Sequence, residues 1–401
     1  MRLLVHDYAG HPFQVQLSRE LARRGHISTH AFAGGLLTPR GNLQKSSQDP
    51  ELFDIVEIPM DRHYRRDKYR FLRRRRMEIE YGSEVASLIS RLRPDVVLSA
   101  NTPTEPQWRI AQACGKTGIA FVPWIQDFYS LAVAKLAAKK TPIIGNVVGS
   151  WYRRLEARAL RQAAAVVAIT DDFTPMLLRA GVLPDKIIVV PNWAPLEELP
   201  MTPRRNAWSA AHGWDEKFVF LYAGTLALKH DPGLLRELAV SFQDDPATRI
   251  VVVSEGPGAD YLRARKTAEN LNSLELLPFQ NFAQMPDVLA TGDVLLAVLE
   301  ADAGLFSAPS KVLTYHCAGK PILAAIASNN IAARTIAQAQ SGTCVEPSDP
   351  SGFLHAAHRY RLDDALREKH GAAARAYAEG HFDINNIADR FEQLLLNAAH
   401  K

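Results

Sequence analysis

Cysteine is scarce in this chain. Cys114, Cys317 and Cys344 stand far apart, are odd in number and lack metal-type spacing, which argues against a disulfide framework and a zinc site and leaves them as small core residues. No uncharged apolar run approaches the ~18–20 residues that span a bilayer. The opening "MRLLVHDYAGHPF" breaks its apolar stretch at His6 and Asp7, too early for a signal peptide, so a cytoplasmic protein is expected. No Gly-x-Gly-x-x-Gly follows the first apolar strand and no Walker A loop is present, which disfavours a nicotinamide enzyme and an NTPase. No nucleic-acid-binding motif accompanies the basic charge. No carboxylate pair reads as a metal site, and no cofactor is expected.

What is present points to two domains, because 401 residues exceed one comfortable core at ~100–200 residues per domain. A hydrophobic content of 47% with 22% charge is ordinary for a globular protein. The net charge is uneven: residues 1–200 hold 28 Lys and Arg against 20 Asp and Glu, and residues 201–401 hold 19 against 23. Much of the excess lies in "RHYRRDKYRFLRRRR", residues 62–76, where Tyr64, Tyr69, Phe71 and Leu72 interleave with cations. Such a segment suits an anionic membrane surface or a polyanionic ligand; a solvated helix face accounts for the same charges.

Strand-like runs "MRLLVHDY", "ISTHAFA", "DIVEIP", "PDVVLSA", "IAFVPWIQD", "AAVVAIT" and "KIIVVPNW" alternate with helical patterns, among them "QVQLSRELARRGH", residues 68–92 and residues 147–161. "APLEELPMTPRRNAW", residues 194–208, has three prolines and no period, and reads as a linker. A second series follows with "FVFLYAG", "RIVVVSEG", "LELLPF", "DVLLAVL", "PILAAI" and "GTCVEP". Alternation of this kind specifies parallel sheets covered on both faces. The fold class expected is α/β, with two doubly wound Rossmann-like domains, 1–195 and 216–375, joined by a linker at 196–215 and facing a central cleft. Ligands of such folds bind at the C-terminal ends of the strands.

Three post-strand loops of the second half suit a phosphorylated ligand. "YAGTLALKH" places Gly224, Thr225, Lys229 and His230 after one strand, "VSEGPG" places Glu255 and Gly256 after the next, and "APSKVLTYHCAGKP" supplies Ser310 and Lys311. Glycine lets backbone approach a ligand, and lysine offers a mobile point charge. Ser307 as N-cap and Pro309 in the first turn would aim free amides outward beside Lys311. The helix dipole alone is worth ~0.3–1 kcal/mol, so the lysines are needed for useful affinity.

"KIIVVPNW", "YAGTLALKHDP", "VSEGPG", "LLPFQNF", "DVLLAVLEADAG" and "PSKVLTYHCAGKPILA", in this order, resemble the retaining GT-B glycosyltransferases of family 4, particularly the branch that builds bacterial exopolysaccharides such as colanic acid. The resemblance covers nearly the whole chain and is more specific in the second half. It implies a C-terminal domain for a nucleotide sugar, an N-terminal domain for the acceptor, and a final helix, residues 376–401, packing back on the first domain. It further implies that Lys229 contacts the donor diphosphate, that Gly224 and Thr225 face it, and that Glu255 and Gly256 line the nucleotide pocket. Phe279, Asn281 and Phe282 would hold the base, and Asp302, Gly304, Ser310 and Lys311 would surround sugar and phosphate. "AGHPFQ" occupies the place of the family's glycine-rich loop, so Gly10 and His11 would approach donor or acceptor. Asp127 and Glu105, at strand ends, would position acceptor hydroxyls, although Asp127 also reads as a helix cap. Lys229, Lys311, His11 and Asp127 are the candidates for the chemistry.

Three positions depart from the family pattern. Thr314 stands where a glutamate commonly bonds the ribose, Phe306 where an earlier glutamate stands, and Thr225 where an arginine is usual. A bond to a charged group is worth ~1.5–3 kcal/mol against ~0.5–1.5 for a neutral one, so ribose binding about tenfold weaker is expected. The function implied is transfer of a hexose, with retention and without a metal, from a nucleoside diphosphate sugar to a lipid-linked saccharide in exopolysaccharide or cell-surface polysaccharide synthesis. It would take place at the cytoplasmic membrane face, where residues 62–76 and the helix around "NVVGSWYRRLEARAL" would dock the first domain on anionic lipid near the acceptor. A nucleotide-sugar epimerase on the same fold and a non-catalytic nucleotide-sugar or polysaccharide-binding protein are the alternatives.

Overall fold

The computed structural model describes residues 1–36, 40–67, 70–140, 142–227, 230–301 and 310–400. The chain forms two compact units, residues 1–192 with 384–401, and residues 193–383. In the first unit β1 (Arg2–Asp7), α1 (Pro12–Arg23), β2 (Ile27–Ala33), β3 (Phe53–Ile58), α2 (Tyr64–Asp67), α3 (Phe71–Leu92), β4 (Val96–Ala100), α4 (Thr104–Thr117), β5 (Ala120–Ile125), α5 (Tyr129–Lys140), α6 (Pro142–Arg161), β6 (Val166–Ala168), α7 (Thr174–Arg179) and β7 (Ile187–Val189) follow one another. The second unit continues with α8 (Ala207–Ala211), β8 (Phe218–Ala223), α9 (Pro232–Ser241), β9 (Thr248–Val253), α10 (Pro257–Glu269), β10 (Leu274–Leu277), α11 (Met285–Thr291), β11 (Val294–Val298), α12 (Lys311–Cys317), β12 (Ile322–Ala325), α13 (Ile331–Ala339), β13 (Gly342–Val345), α14 (Pro350–Leu362) and α15 (Asp364–His381). The last helix, α16 (Ile384–Ala399), belongs to the first unit.

Both sheets are parallel, with strand orders β3-β2-β1-β4-β5-β6-β7 and β10-β9-β8-β11-β12-β13. The order reverses beside β1 and beside β8, the switch points at which ligands of doubly wound sheets collect. β1 and β8 are buried along nearly their whole length, as expected of central strands covered on both faces. In the second unit Phe220, Tyr222, Leu235, Leu296 and Phe353 belong to one continuous core.

Three local readings need correction. The helix expected from about Val147 begins at Pro142, where a proline's missing N–H costs nothing. The Ala- and Lys-rich α5 before it carries too weak an apolar stripe to be read from periodicity. The segment read as a linker is tied into the second unit: Leu199, Trp208 and Trp214 are buried, and Asn206 caps α8 by accepting from the Trp208 and Ser209 amides. Helix α15 runs through residue 376 to His381, so the final helix starts only at Ile384.

Helix α16 is held on the first unit by charge and by aromatic packing. Arg24 donates to Asp389 at 2.6 Å and to Glu392 at 2.9 Å, and His26 meets Glu392 at 2.7 Å. The Phe391 ring lies 4.7 Å from that of Trp124 on β5. Among the described residues no helix is long and apolar enough to cross a membrane.

Candidate functional site

In the second unit the strand ends β8, β9 and β10 form one rim. Strand β8 is followed at once by Gly224, whose φ of 135° is open to glycine but strained for other residues. The Lys311 side chain reaches across this position: a Cβ on Gly224 would lie 3.1 Å from Lys311 Cε. Lys311 Nζ sits 3.8 Å from the centroid of the Tyr222 ring, donates to the Tyr222 hydroxyl and comes within 3.4 Å of the Thr225 carbonyl. Tyr222 in turn donates to that carbonyl at 2.8 Å. From the other side the Tyr315 hydroxyl accepts from the Ala223 amide at 3.0 Å and donates to the Leu296 carbonyl at 3.1 Å. Burial pushes both phenols up, so they act as neutral hydrogen-bonding braces. Neither tyrosine was singled out from the sequence, because in "FVFLYAG" and "KVLTYHC" each reads as a core residue.

The neighbouring loop is equally constrained. Gly256, with φ 102°, precedes α10, and nothing stands within 4 Å of where its Cβ would be. Glu255 Oε1 accepts from the Phe279 amide at 3.3 Å, joining the ends of β9 and β10. Gly258 donates to the Leu226 carbonyl at 3.2 Å, and a Cβ there would meet Leu226 at 2.5 Å, so the β8 and β9 loops pack directly together. Buried His230 closes the β8 loop by accepting the Ala227 amide at 2.9 Å. Phe279 and Phe282 are half-buried, and Asn281 is exposed. The structure thus assembles Gly224, Thr225, Lys311, Glu255, Gly256 and Phe279.

Lys229, Asp302, Gly304, Phe306, Ser307 and Pro309 lie outside the described residues. The described part of α12 starts at Lys311, and the Ser310 side chain does not cap it. Thr314 is half-buried one turn further on.

In the first unit the turn after β1 is built around Asp7, which the sequence reading passed over. This buried carboxylate accepts from the Ala9 amide at 3.0 Å, from the His11 amide, and from His11 Nδ1 at 3.4 Å. The Gln14 amide, turned to donate, reaches both of its oxygens at 2.6 and 2.8 Å. Burial would raise Asp7, but the bonds from His11 prevail and hold it below the usual carboxylate range. His11 is partly exposed at the start of α1. Gly10 is buried, with φ 80°, and a Cβ there would lie 2.7 Å from Leu43, so the side of this turn where a side chain would stand is covered.

A small recess opens beside the ends of β4 and β5, lined by Asn101, Thr104, Gln126, Asp127, Tyr129 and Glu156 among others. Asn101 holds a left-handed φ of 48°, braced by the Tyr129 hydroxyl, which lies 3.0 Å from its Oδ1. Thr104 Oγ1 is buried without a hydrogen-bond partner among the described residues. Asp127 therefore stands where the sequence placed it, at a concave strand end. Glu105 does not, because its buried carboxylate accepts from Arg75 at 2.7 Å and lies 3.3 Å from the Tyr152 hydroxyl. It fastens α4 to α3 and α6. The carboxylate that lines the recess instead is Glu156, which read only as part of a helix.

With this geometry in place, comparison with known proteins is decisive at the level of family. Residues 11–193 match the Glycosyl transferase 4-like domain, and residues 204–377 match Glycosyl transferases group 1. The chain thus joins a glycosyl transferase 4-like domain to a group 1 glycosyl transferase domain. A Pseudomonas aeruginosa protein described as "Probable glycosyltransferase WbjE" is 26% identical over 265 residues, and the match spans 64% of each chain. Among solved structures, Anabaena HepE in complex with UDP and glucose is similar over 98% of this chain and 99% of its own, with a TM-score of 0.72 and 14% identity. WaaG, a glycosyltransferase involved in lipopolysaccharide biosynthesis, is similar over 98% and 99%, with a TM-score of 0.68 and 17% identity.

In this chain, Glu156 is the recess carboxylate whose titration burial displaces. Burial pushes its carboxyl up to about 7, against the opposing bonds from Ser130, whose hydroxyl donates at 2.5 Å. Between the ordinary value of 4.5 and about 7, the folded state keeps a proton that the unfolded chain has lost. The group's contribution to stability is therefore complete below the ordinary range and fades as pH rises to about 7. Glu156→Gln is expected to flatten the fall in urea midpoint between pH 5 and 7, within ~1 pH unit at either end. An identical slope in the variant would show that Glu156 does not titrate there.

Proposed function

We propose that the protein is a retaining, metal-independent hexosyltransferase. It would move a sugar from a nucleoside diphosphate sugar to a hydroxyl of a lipid-linked saccharide, in bacterial exopolysaccharide or cell-surface polysaccharide synthesis at the cytoplasmic membrane face. The observation that carries this reading is the rim of the second unit, where the Lys311 ammonium lies at the end of β8 beside Gly224 and the next strand end opens through Gly256 onto α10. A fixed positive charge beside glycine backbone suits a diphosphate. The similarity in fold to HepE, solved with UDP and glucose, supports a uridine nucleotide as the donor.

In the reaction proposed, a bond forms between the acceptor oxygen and the anomeric carbon on the face from which the diphosphate departs. The anomeric carbon–phosphate oxygen bond breaks, and the acceptor proton passes to the leaving phosphate. No dedicated protein base is needed. Lys311, with Lys229, would stabilise the charge that develops on the diphosphate. Asp127 and His11 would orient the acceptor or the sugar, converting a bimolecular encounter into a positioned one.

Calorimetric titration with UDP, GDP and ADP tests the donor site. UDP is expected to bind, with at least about tenfold preference over the other two, a difference of about 1.4 kcal/mol. Binding of none of them would mean that Thr225, Phe306 and Thr314 have removed the donor site, leaving a non-catalytic role. Product analysis without any acceptor separates transfer from epimerisation of the donor.

A further inference from the structure

The recess of the first unit has polar walls that are nearly all satisfied from within, and the groups left over point to one kind of ligand. Thr102 Oγ1 donates to the Ala100 carbonyl at 2.9 Å, and Gln107 Oε1 accepts from the Ser99 hydroxyl at 2.8 Å. Gln126 and Asn192 donate to one another, at 3.1 and 2.5 Å. Both Glu156 oxygens accept from Ser130, one from its hydroxyl at 2.5 Å and the other from its amide at 3.3 Å. Two groups have no such use among the described residues. Thr104 is 4% exposed, and its hydroxyl meets no partner. The Asn101 side chain meets only the Tyr129 hydroxyl, at Oδ1, so its amide hydrogens donate to nothing there. A buried hydroxyl left unsatisfied is costly, and a ligand group that completes it accounts for its retention.

The rest of the lining narrows the chemistry. Trp124, Ala159 and Leu160, each no more than 2% exposed, give the recess an apolar wall. Asp127 and Glu156 are its carboxylates, and among the described residues no lysine, arginine or histidine lines it. An anion there would meet like charge without a counter-ion. The recess is small, so it suits a substituent rather than a whole sugar ring. A hydroxyl offers an oxygen to the two unused donors but nothing to the apolar wall. An acetamido group offers both an acceptor oxygen and a methyl, and carries no charge.

We propose that this recess is a subsite for an acetamido group, so that the sugar presented by the acceptor is an N-acetylhexosamine. The acetamido oxygen accepts from the Thr104 hydroxyl and the Asn101 amide, and the methyl rests on Trp124 and Leu160. Thr104 and Asn101 are then the residues that determine specificity for the acceptor. Asn101 suits this place because asparagine is one of the few residues that hold a left-handed φ at low cost. The proposal rests on the transferase reading only in calling the bound sugar an acceptor.

Saturation-transfer NMR and titration with the methyl glycosides of N-acetylglucosamine, N-acetylgalactosamine, glucose, galactose, glucosamine and glucuronic acid test it. At least one acetamido sugar is expected to bind about tenfold more tightly than its parent hexose, with the acetamido methyl receiving the strongest saturation. The glucuronide should not compete. Thr104→Val keeps the shape of the side chain and removes the hydroxyl, so it should weaken the acetamido sugar about tenfold and leave the parent hexose unchanged. Its melting temperature should hold or rise, because the hydroxyl removed has no partner. Asn101→Asp, which tolerates the same backbone and keeps an oxygen for Tyr129, should also erode the preference. Equal affinity for sugars with and without the acetamido group overturns the proposal, as does binding of none of them. So does an unchanged preference in both variants, which would leave the Thr104 hydroxyl to an ordered water. Tighter binding of the glucosamine glycoside overturns it too, since the carboxylates would then be holding an ammonium group. UDP titration and UDP-sugar turnover on the same preparations read the transferase separately. Transfer without an acetamido preference sinks this subsite and leaves the transferase reading standing, whereas acetamido binding without any transfer does the reverse.

Discussion

Lys311→Ala is expected to lower kcat/KM for the sugar donor by about 10²–10³, the loss typical of removing one preorganised group that stabilises developing negative charge. The ammonium is anchored at the end of β8 by the Tyr222 hydroxyl and ring and by the Thr225 carbonyl, so in the reaction proposed it would meet the diphosphate already oriented. Its removal should disturb the fold little. Tyr222 keeps its own bond to Thr225, and the lost cation–π contact and hydrogen bond are each worth only about 1 kcal/mol. Lys311→Arg should rescue poorly, because the side chain passes a Gly224 backbone with room for little more than a methylene, and a planar guanidinium is wider than an ammonium. Steady-state kinetics, UDP titration and a thermal melt on both variants make the check. A fall in melting temperature that accounts for the lost activity, or full activity in the alanine variant, would remove Lys311 from the donor site.

The second large effect is expected far from that rim. Phe391 is fully buried and packs against Trp124, so Phe391→Ala should cost about 3–5 kcal/mol through lost burial and the cavity left behind. For a unit of this size about 2–4 °C accompanies each kcal/mol, which places the shift of the first unit's melting transition on the order of 10 °C. Scanning calorimetry should show that transition moving while the transition of the second unit stays, and UDP should bind as before. Transitions that fall together, or do not move, would show that α16 is not an integral part of the first unit. The polar clamp of Arg24 on Asp389 and Glu392 is partly exposed and should contribute much less.

Much of the architecture was legible because its signal is local. The runs that became β1, β4, β8 and β11 are short, continuous and apolar, as strands buried on both faces must be. Gly224 and Gly256 stood out as glycines at strand ends, and both have positive φ. Gly10 shares that conformation, but Leu43 covers it, and nothing in the local string shows which side of a turn is covered. Helix α5 was missed because its alanines and lysines make no strong stripe, and the start of α6 was misplaced because its first turns are apolar on the outside.

The choice among carboxylates was not legible either. Glu105 follows a strand and is spent on Arg75, thirty positions away in sequence, whereas Glu156 sits mid-helix and lines the recess. Asp7 was hidden at the end of an apolar strand, although it organises the turn that carries His11.

The sequence by itself determined the α/β class, the pair of parallel sheets and the strand ends at which a ligand would be met, because hydrophobic periodicity and glycine placement act over a few residues. Only the tertiary structure decided where each charge goes. Lys311 reaches Tyr222 across 89 positions of sequence, and Arg24 reaches Glu392 across 368. Such pairings depend on which helix faces which strand after the core has closed, and that information resides in packing rather than in any local pattern.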